Sequence, residues 1–396
     1  MTIVYNRTVL TTTTSRLYPN RLQAARLERY LFVGRVLYNR SLEARIHWYK
    51  TSGQSLTFYD QCSDLTELRA ADSFWRDIPS RAGRDALRRL DKAYKAFFRR
   101  VKSGQKPGFP RFKGRNRWDS FTIHKCGAVV RNNRIRVSGV EGLIRARNLR
   151  PVTGDIIEQR IVRKAGKWFC QLVIETPAVT VEPTPRPAIG IDVGLKVFAA
   201  LSDGSTIENP RFGRKATRSL AHAHRTISRT RKGSKNRRKA VARFQRVYLR
   251  ITNLRHNFTH QESRRIANRC GVIAIENLNI GGMVRGRLAK SILDACWGMF
   301  ASQLTYKAEN AGGVVVRVNP AGTSQECSQC GKTVPKDLSV RVHSCDCGLV
   351  LDRDFNAARN ILRRALDQHR PAVGGIVMPV EGFNGTSVKQ EVLIEN

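Results

Sequence analysis

Between Cys327 and Ala358 the chain carries two close cysteine pairs, Cys327-Ser-Gln-Cys330 and Cys345-Asp-Cys347, followed by Asp352-Arg353-Asp354-Phe355-Asn356-Ala357-Ala358. A pair of cysteines on a tight turn points two thiolates at one place, and two such pairs make the tetrahedral set that Zn²⁺ requires. Fourteen residues separate the pairs, and Gly331 and Gly348 stand just after them. Cys327, Cys330, Cys345 and Cys347 are therefore the expected ligands of a structural zinc. The second pair is one residue shorter than the usual knuckle, so its turn must differ, and His343 is close enough in sequence to replace one thiolate. Directly after this segment Asp354 opens a helix with the apolar face Ala357, Ala358, Ile361, Leu362 and Ala365, which raises the question of partner carboxylates elsewhere.

Two candidates lie inside apolar strands. Ala188-Ile-Gly-Ile-Asp192-Val-Gly194 reads as a strand and a glycine-permitted bend, leading to a second strand through Leu201 and, past an Asp203-Gly204 turn, a third from Ser205 to Glu208. Gly271-Val-Ile-Ala-Ile-Glu276-Asn-Leu278 repeats the motif of an acid at the end of an apolar run. A carboxylate in such a strand is unfavourable unless it is paired or holds a metal. A further apolar strand, Val314–Val318, precedes the cysteines. A meander with Asp192 on its first strand, a later strand with Glu276 and a last helix with Asp354 is the ribonuclease H-like arrangement, whose acids converge at one end of a mixed sheet. Three oxygen ligands there suit Mg²⁺ or Mn²⁺ and two-cation phosphodiester hydrolysis. Asp352 reads as a cap or turn residue and Asp203 as part of a hairpin turn.

The remainder of the chain fits a polyanionic partner. Over 396 residues the formal net charge is +40, which points to nucleic acid. No apolar leader opens the chain and no run of about 18 uncharged apolar residues occurs, so secretion and membrane insertion are disfavoured. Cys62, Cys126, Cys170, Cys270 and Cys296 show no paired spacing, as expected in a reducing cytoplasm. Residues 1–15 alternate like a strand. Helical spacing takes over from about 20 to 102, where a second helix carries Arg84, Arg88 and Arg99 among its cations. After the turn-rich, aromatic and basic block 103–113, which includes Lys113, the period becomes two and reads as a small antiparallel barrel or curled sheet. Turns are expected at Asn132-Asn133 and Ala165-Gly166, with Arg136 and Arg163 on a cationic face suited to phosphates. Pro177–Pro187 reads as a linker. Residues 211–270 hold nineteen Lys or Arg, Arg237 and Arg238 among them, against the single acid Glu262. Their apolar stripe marks a folded helical insert.

With these motifs in view, the sequence resembles the TnpB family of transposon-encoded, RNA-guided DNA endonucleases, relatives of the compact type V CRISPR effectors. The resemblance rests on Ile191-Asp192-x-Gly194, Ile275-Glu276-Asn277-Leu278, Thr323-Ser324-x-x-Cys327-x-x-Cys330-Gly331 and Asp352-Arg353-Asp354-x-Asn356-Ala357-Ala358-x-Asn360-Ile361. It covers about residues 1–365. It implies an α+β multidomain protein: a wedge-like antiparallel β-barrel (1–15 and 110–180) with an inserted helical recognition lobe (16–109), then a RuvC-type domain (186–320 and 352–370) interrupted by a zinc ribbon (321–351). Asp192, Glu276 and Asp354 would be the catalytic, Mg²⁺-binding acids. The partners would be a guide RNA copied from the protein's own element and double-stranded target DNA beside a short flanking motif. A monomer in the prokaryotic cytoplasm or nucleoid would suffice, and the aperiodic tail 371–396 would be disordered. The competing readings are a nuclease-inactive RNA-guided repressor, a conventional transposase with a ribonuclease H-like fold, and a zinc-ribbon DNA-binding protein without catalysis.

Overall fold

The alternation near the N-terminus becomes β1 (Thr8–Tyr18), and Asn20 then starts a helix by accepting the amide of Gln23 while the Gln23 side chain returns to the Asn20 amide. That helix, α1 (Arg21–Ser52), stops at Gly53, whose φ of 68° suits a residue without Cβ. The computed structural model describes residues 8–115, 117–124, 130–147, 149–177, 185–337 and 340–368. The tail 371–396, most of the expected linker, the first seven residues and Cys126 lie outside the described residues. The chain forms two compact units, Met1–Ala178 and Val179–Asn396.

In the first unit α2 (Phe58–Ala71), α3 (Ser73–Arg76) and α4 (Ser80–Lys102) follow α1, and then come β2 (Ser120–His124), β3 (Val130–Arg131), β4 (Arg134–Arg136), β5 (Leu143–Arg147), β6 (Asp155–Lys164) and β7 (Lys167–Pro177). All seven strands join one antiparallel sheet in the order β2-β6-β7-β1-β5-β4-β3. Both expected hairpin turns form. Asn132 and Asn133 have φ of 44° and 55°, and Ala165 and Gly166 have 50° and 74°, the paired left-handed geometry of a tight hairpin. Of the barrel or curled sheet that the alternation allows, the described residues form the curled sheet: among them the edge strands β2 and β3 do not pair with each other. Helices fill the space that closure would have filled. Tyr30 and Leu27 of α1 and Leu87 and Leu90 of α4 share one buried cluster with Phe121, Ile135, Ile144 and Leu172 of the sheet, and the Tyr30 and Phe121 rings meet edge to face at 5.5 Å.

The second unit begins with β8 (Ala188–Val193), β9 (Ala199–Leu201) and β10 (Thr206–Ile207). The basic segment forms α5 (Phe212–Lys215), α6 (Thr217–Ser228) and α7 (Lys235–Arg269). Next come β11 (Val272–Glu276), α8 (Ile280–Met283), α9 (Ala289–Ala295), α10 (Trp297–Asn310), β12 (Val314–Val318), β13 (Val342–Ser344), β14 (Val350–Asp352) and α11 (Arg353–Gln368). Five strands make a mixed sheet in the order β10-β9-β8-β11-β12, with β8, β11 and β12 parallel, while β13 and β14 form a separate hairpin. Alternation divides each parallel strand between two layers. Ile189, Ile191, Ile273 and Ile275 pack with Phe300, Leu304 and Ile266 on one face, whereas Ala188, Val272 and Ala274 pack with Ile361, Leu362 and Ala365 of α11 on the other.

Gly190 sets how closely α11 approaches. A Cβ there would stand 2.1 Å from the Ala358 carbonyl oxygen and 2.9 Å from Leu362, so only glycine permits this contact. Gly190→Ala is expected to destabilise the second unit by about 3 kcal/mol, the upper range for overpacking a tight core. Thermal denaturation checks this, and an unchanged melting temperature would contradict the packing.

Candidate active site

The register of β8 and β11 pairs Ile191 with Ile275, which puts the next residues, Asp192 and Glu276, side by side on neighbouring parallel strands. Both follow the even positions Gly190 and Ala274 onto the face covered by α11. Asp354 lies one helical turn before Ala358, the residue whose carbonyl packs over Gly190. The absent Gly190 side chain thus sets the distance between the strand acid and the helix acid. Asp352, at the end of β14, accepts the Asp354 amide at 2.8 Å and acts as the cap the sequence suggested. Asp203 accepts the Ser205 amide at 3.0 Å in its turn and pairs with Arg269.

Asp192 feels both of the other acids. Burial, then the charges of Glu276 and Asp354, push the Asp192 carboxyl well above the usual carboxylate range, against the nearby Arg353. Glu276 is also raised, chiefly by burial, while a hydrogen bond from Thr323 and the charge of Arg364 oppose the rise. Asp354 pairs with Arg353 at 3.3 Å and, from the cysteine-bearing segment, with Arg341 at 3.9 Å. Thr323 Oγ1 lies 2.7 Å from Glu276 Oε1. The acids are therefore electrostatic neighbours, two of them tethered, and not a contracted ligand set: among the described residues only the cysteines bring three or more ligand atoms within 4.8 Å of one another. An all-oxygen group in which two acids disfavour the ionisation of the third, Asp192, fits a hard divalent cation, which would relieve that repulsion.

The cysteine cluster fits a different ion. The sulfurs of Cys327, Cys330, Cys345 and Cys347 lie within 4.8 Å of one another, with Cys327–Cys347 and Cys330–Cys345 at 3.6 Å. Tetrahedral ligands about 2.3 Å from zinc stand roughly 3.8 Å apart. The short second pair works because Cys345 and Leu349 close a tight turn, with the Cys345 amide 3.0 Å from the Leu349 carbonyl and Gly348 at φ 88°. Gly331, at φ 79°, closes the first turn. Burial raises the Cys327 thiol, but the amides of Cys330 and Gln329 with the His343 and Cys347 side chains bring it down to about 6, while Cys345 is raised and Cys347 is pushed up to about 12 by its sulfur neighbours. His343 is fully buried beside Lys336 and the sulfurs, and the four cysteines complete the set without it.

The expected nucleic-acid residues divide. Arg84, Arg99, Arg136 and Arg238 are exposed. Arg88 lies over the Phe58 ring at 5.9 Å, the Lys113 amine over Tyr38 at 5.4 Å, and Arg163 pairs with Glu28 at 3.1 Å. Arg237 is committed internally, donating to the carbonyls of Ile227 at 2.7 Å and Thr230 at 3.0 Å where α6 turns into α7. Glu326 escaped the sequence reading, and Thr323, Asn356 and Asn360 were read there as motif residues without a role. Thr323, Glu326, Asn356 and Asn360 link the segment before the cysteines to α11, and Asn356 and Asn360 are completely buried. Two asparagines four apart on an otherwise apolar helix face were the available signal.

A family described as "Probable transposase" matches residues 171–287, "Cas12f1-like, TNB domain" matches 297–361, and a "Helix-turn-helix domain" family matches 9–54. That last stretch folds here as a strand and one long helix. A Streptomyces pristinaespiralis protein named "Putative RNA-guided DNA endonuclease" is 33% identical over 388 residues, spanning 95% of this chain and 94% of that one. The Escherichia coli K12 protein "Putative RNA-guided DNA endonuclease InsQ" is 31% identical over 367 residues, covering 88% and 90%. The chain belongs to the TnpB family. A "TnpB-like protein" of Acanthamoeba polyphaga mimivirus is 30% identical over 142 residues, 34% of this chain and 27% of that one. Among solved structures, the Cas12f1 chain of a complex with sgRNA and target DNA has a TM-score of 0.54 at 16% identity, covering 87% of this TnpB-family chain and 83% of its own length, which shows a shared fold. No helix among the described residues is long and apolar enough to cross a membrane.

Proposed function

We propose that this TnpB-family protein is an RNA-guided, divalent-cation-dependent DNA endonuclease of an insertion-sequence element, and that Asp192, Glu276 and Asp354 are its catalytic acids. The observation that carries the reading is the placement of Asp192 and Glu276 side by side where β8 and β11 end, with Asp354 brought over them by α11. Mg²⁺ or Mn²⁺ bound by these acids supplies a nucleophilic water and charge stabilisation for the leaving 3′-oxygen of a phosphodiester. The protein's own part is to hold the carboxylates on rigid elements and to keep counter-charges beside them, Arg353 and Arg341 at Asp354 and Arg364 near Glu276. One such centre cuts both strands in turn, leaving 5′-phosphate ends.

Residues 186–320 and 352–370 are assigned to the RuvC-type nuclease domain, and 321–351 to a zinc ribbon held by Cys327, Cys330, Cys345 and Cys347. Residues 1–15 and 110–180 are assigned to the wedge and 16–109 to the recognition lobe. The exposed Arg84, Arg99, Arg136 and Arg238 contact phosphates, consistent with a chain of net charge +40. A monomer carries a complete set of acids. Guide pairing supplies target choice, and the protein reads only a short flanking motif. The relatives' names and the nucleic-acid complex of the structural neighbour support this reading.

The test is to purify the protein from cells that also carry its native flanking DNA and sequence the RNA that accompanies it. A plasmid matching that RNA is then incubated with the complex and Mg²⁺. Guide-dependent cleavage, abolished by EDTA, is expected. Bound RNA with no cutting of any matched target would favour the nuclease-inactive repressor.

A further inference from the structure

Glu276 is held from outside its own sheet. Thr323 is 5% exposed, and its hydroxyl lies 2.7 Å from Glu276 Oε1, with the Pro320 carbonyl at 3.2 Å as the competing acceptor. The one hydroxyl proton goes to the carboxylate, because a charge-assisted bond is shorter and stronger than a neutral one. The loop bearing Thr323 is anchored to α11. Asn360 Nδ2 donates to the Thr323 carbonyl at 2.9 Å and the Glu326 carbonyl at 2.6 Å, and Asn356 donates to the Glu326 carbonyl at 2.7 Å while accepting the Ser328 amide at 2.9 Å. The Glu326 carboxylate pairs with Arg363 at 2.9 Å and Arg364 at 3.0 Å, and Arg364 also donates to the carbonyls of Asn319 and Ala321. Cys327 comes next in the chain. A single bonded path thus runs from the first cysteine turn, through the asparagines of the helix that carries Asp354, to the carboxylate of Glu276.

We propose that Thr323 is a positioning residue: its hydroxyl fixes the Glu276 carboxylate by binding Oε1 and leaves Oε2 to face the divalent cation, so that the cysteine ribbon and the acid centre are set by one loop. The proposal rests on the reading of the acids as cation ligands. A hydroxyl serving only the loop would be satisfied by the Pro320 carbonyl, and its bond to Glu276 would carry no consequence for a cation. An outer partner of a metal-binding carboxylate typically changes metal affinity 10- to 100-fold.

Mn²⁺ binding to the full-length protein, followed by electron paramagnetic resonance with no DNA present, tests this apart from cleavage. Thr323→Val is expected to weaken Mn²⁺ binding by about 10- to 100-fold and to move the Mg²⁺ dependence of cleavage to higher concentration, with the maximal rate recovered at saturating Mg²⁺. Thr323→Ser, which keeps the hydroxyl, is expected to restore both. Zinc content and melting temperature are measured on each variant, and a loss in Thr323→Ser equal to that in Thr323→Val would assign Thr323 to packing and overturn the proposal. Asp192→Asn is the reference. If it weakens Mn²⁺ binding and Thr323→Val does not, the positioning role falls and the acid centre stands. If Asp192→Asn leaves Mn²⁺ binding unchanged, the reading of the acids fails, and this proposal with it.

Discussion

Asp192→Asn is expected to lower guided DNA cleavage by about 10³-fold or more, equivalent to about 4 kcal/mol of transition-state stabilisation. Asparagine keeps the size of the side chain and one oxygen but not the charge that a cation needs. Folding should respond in the opposite direction. In the native chain Asp192 is desolvated beside Glu276 and Asp354, and burial together with these charges disfavours its ionised form. Removing the charge relieves that repulsion, so in EDTA the variant should melt at or above the wild-type temperature. Single-turnover cleavage and thermal denaturation on one preparation check both. Wild-type cleavage by Asp192→Asn would remove the assignment of the acids, whereas a lowered melting temperature would attribute the loss to misfolding.

The double change Cys327→Ser/Cys330→Ser is expected to remove one equivalent of zinc and unfold the segment around 321–351. So short an excursion from the core buries little apolar surface, and its hairpin β13–β14 has only three residues on each side. Zinc binding, worth roughly 10–16 kcal/mol in small structural sites, is then most of its folding free energy. The effect should reach the acids, because Thr323 and Glu326 precede the first cysteine turn and are tied to α11. Zinc stoichiometry, limited proteolysis and cleavage rate are the measurements. One equivalent of zinc retained by the double variant would show that these sulfurs are not the ligands.

Much of the fold could be read in the sequence, and for definite reasons. Asn132-Asn133 and Ala165-Gly166 marked hairpins because asparagine and glycine tolerate the left-handed backbone those turns require. Closed barrel and curled sheet could not be told apart because alternation reports which face of a strand is buried and not what buries it. Tyr30, Leu87 and Leu90 come from helices far along the chain from β5 and β7, and they supply the apolar partner a closed barrel would have supplied itself. Arg237 shows the same limit at one residue: its charge was visible, but not that its Nη1 donates to two backbone carbonyls.

The sequence by itself determined the chemical inventory: four thiolates in two turns, acids at the ends of two apolar strands, a third acid opening an apolar helix, and a large positive charge. These follow from local rules, since a buried acid or a knuckle cysteine is conspicuous wherever the chain later goes. Tertiary structure alone decided their relation. The parallel register of β8 and β11 set Asp192 beside Glu276, the missing Cβ of Gly190 let α11 bring Asp354 over them, and Asn356 and Asn360 bound the cysteine loop to that helix. Register, close approach and long-range hydrogen bonds join residues separated by 30 to 168 positions in the chain, and a pattern with a period of two or 3.6 residues carries no information across such distances.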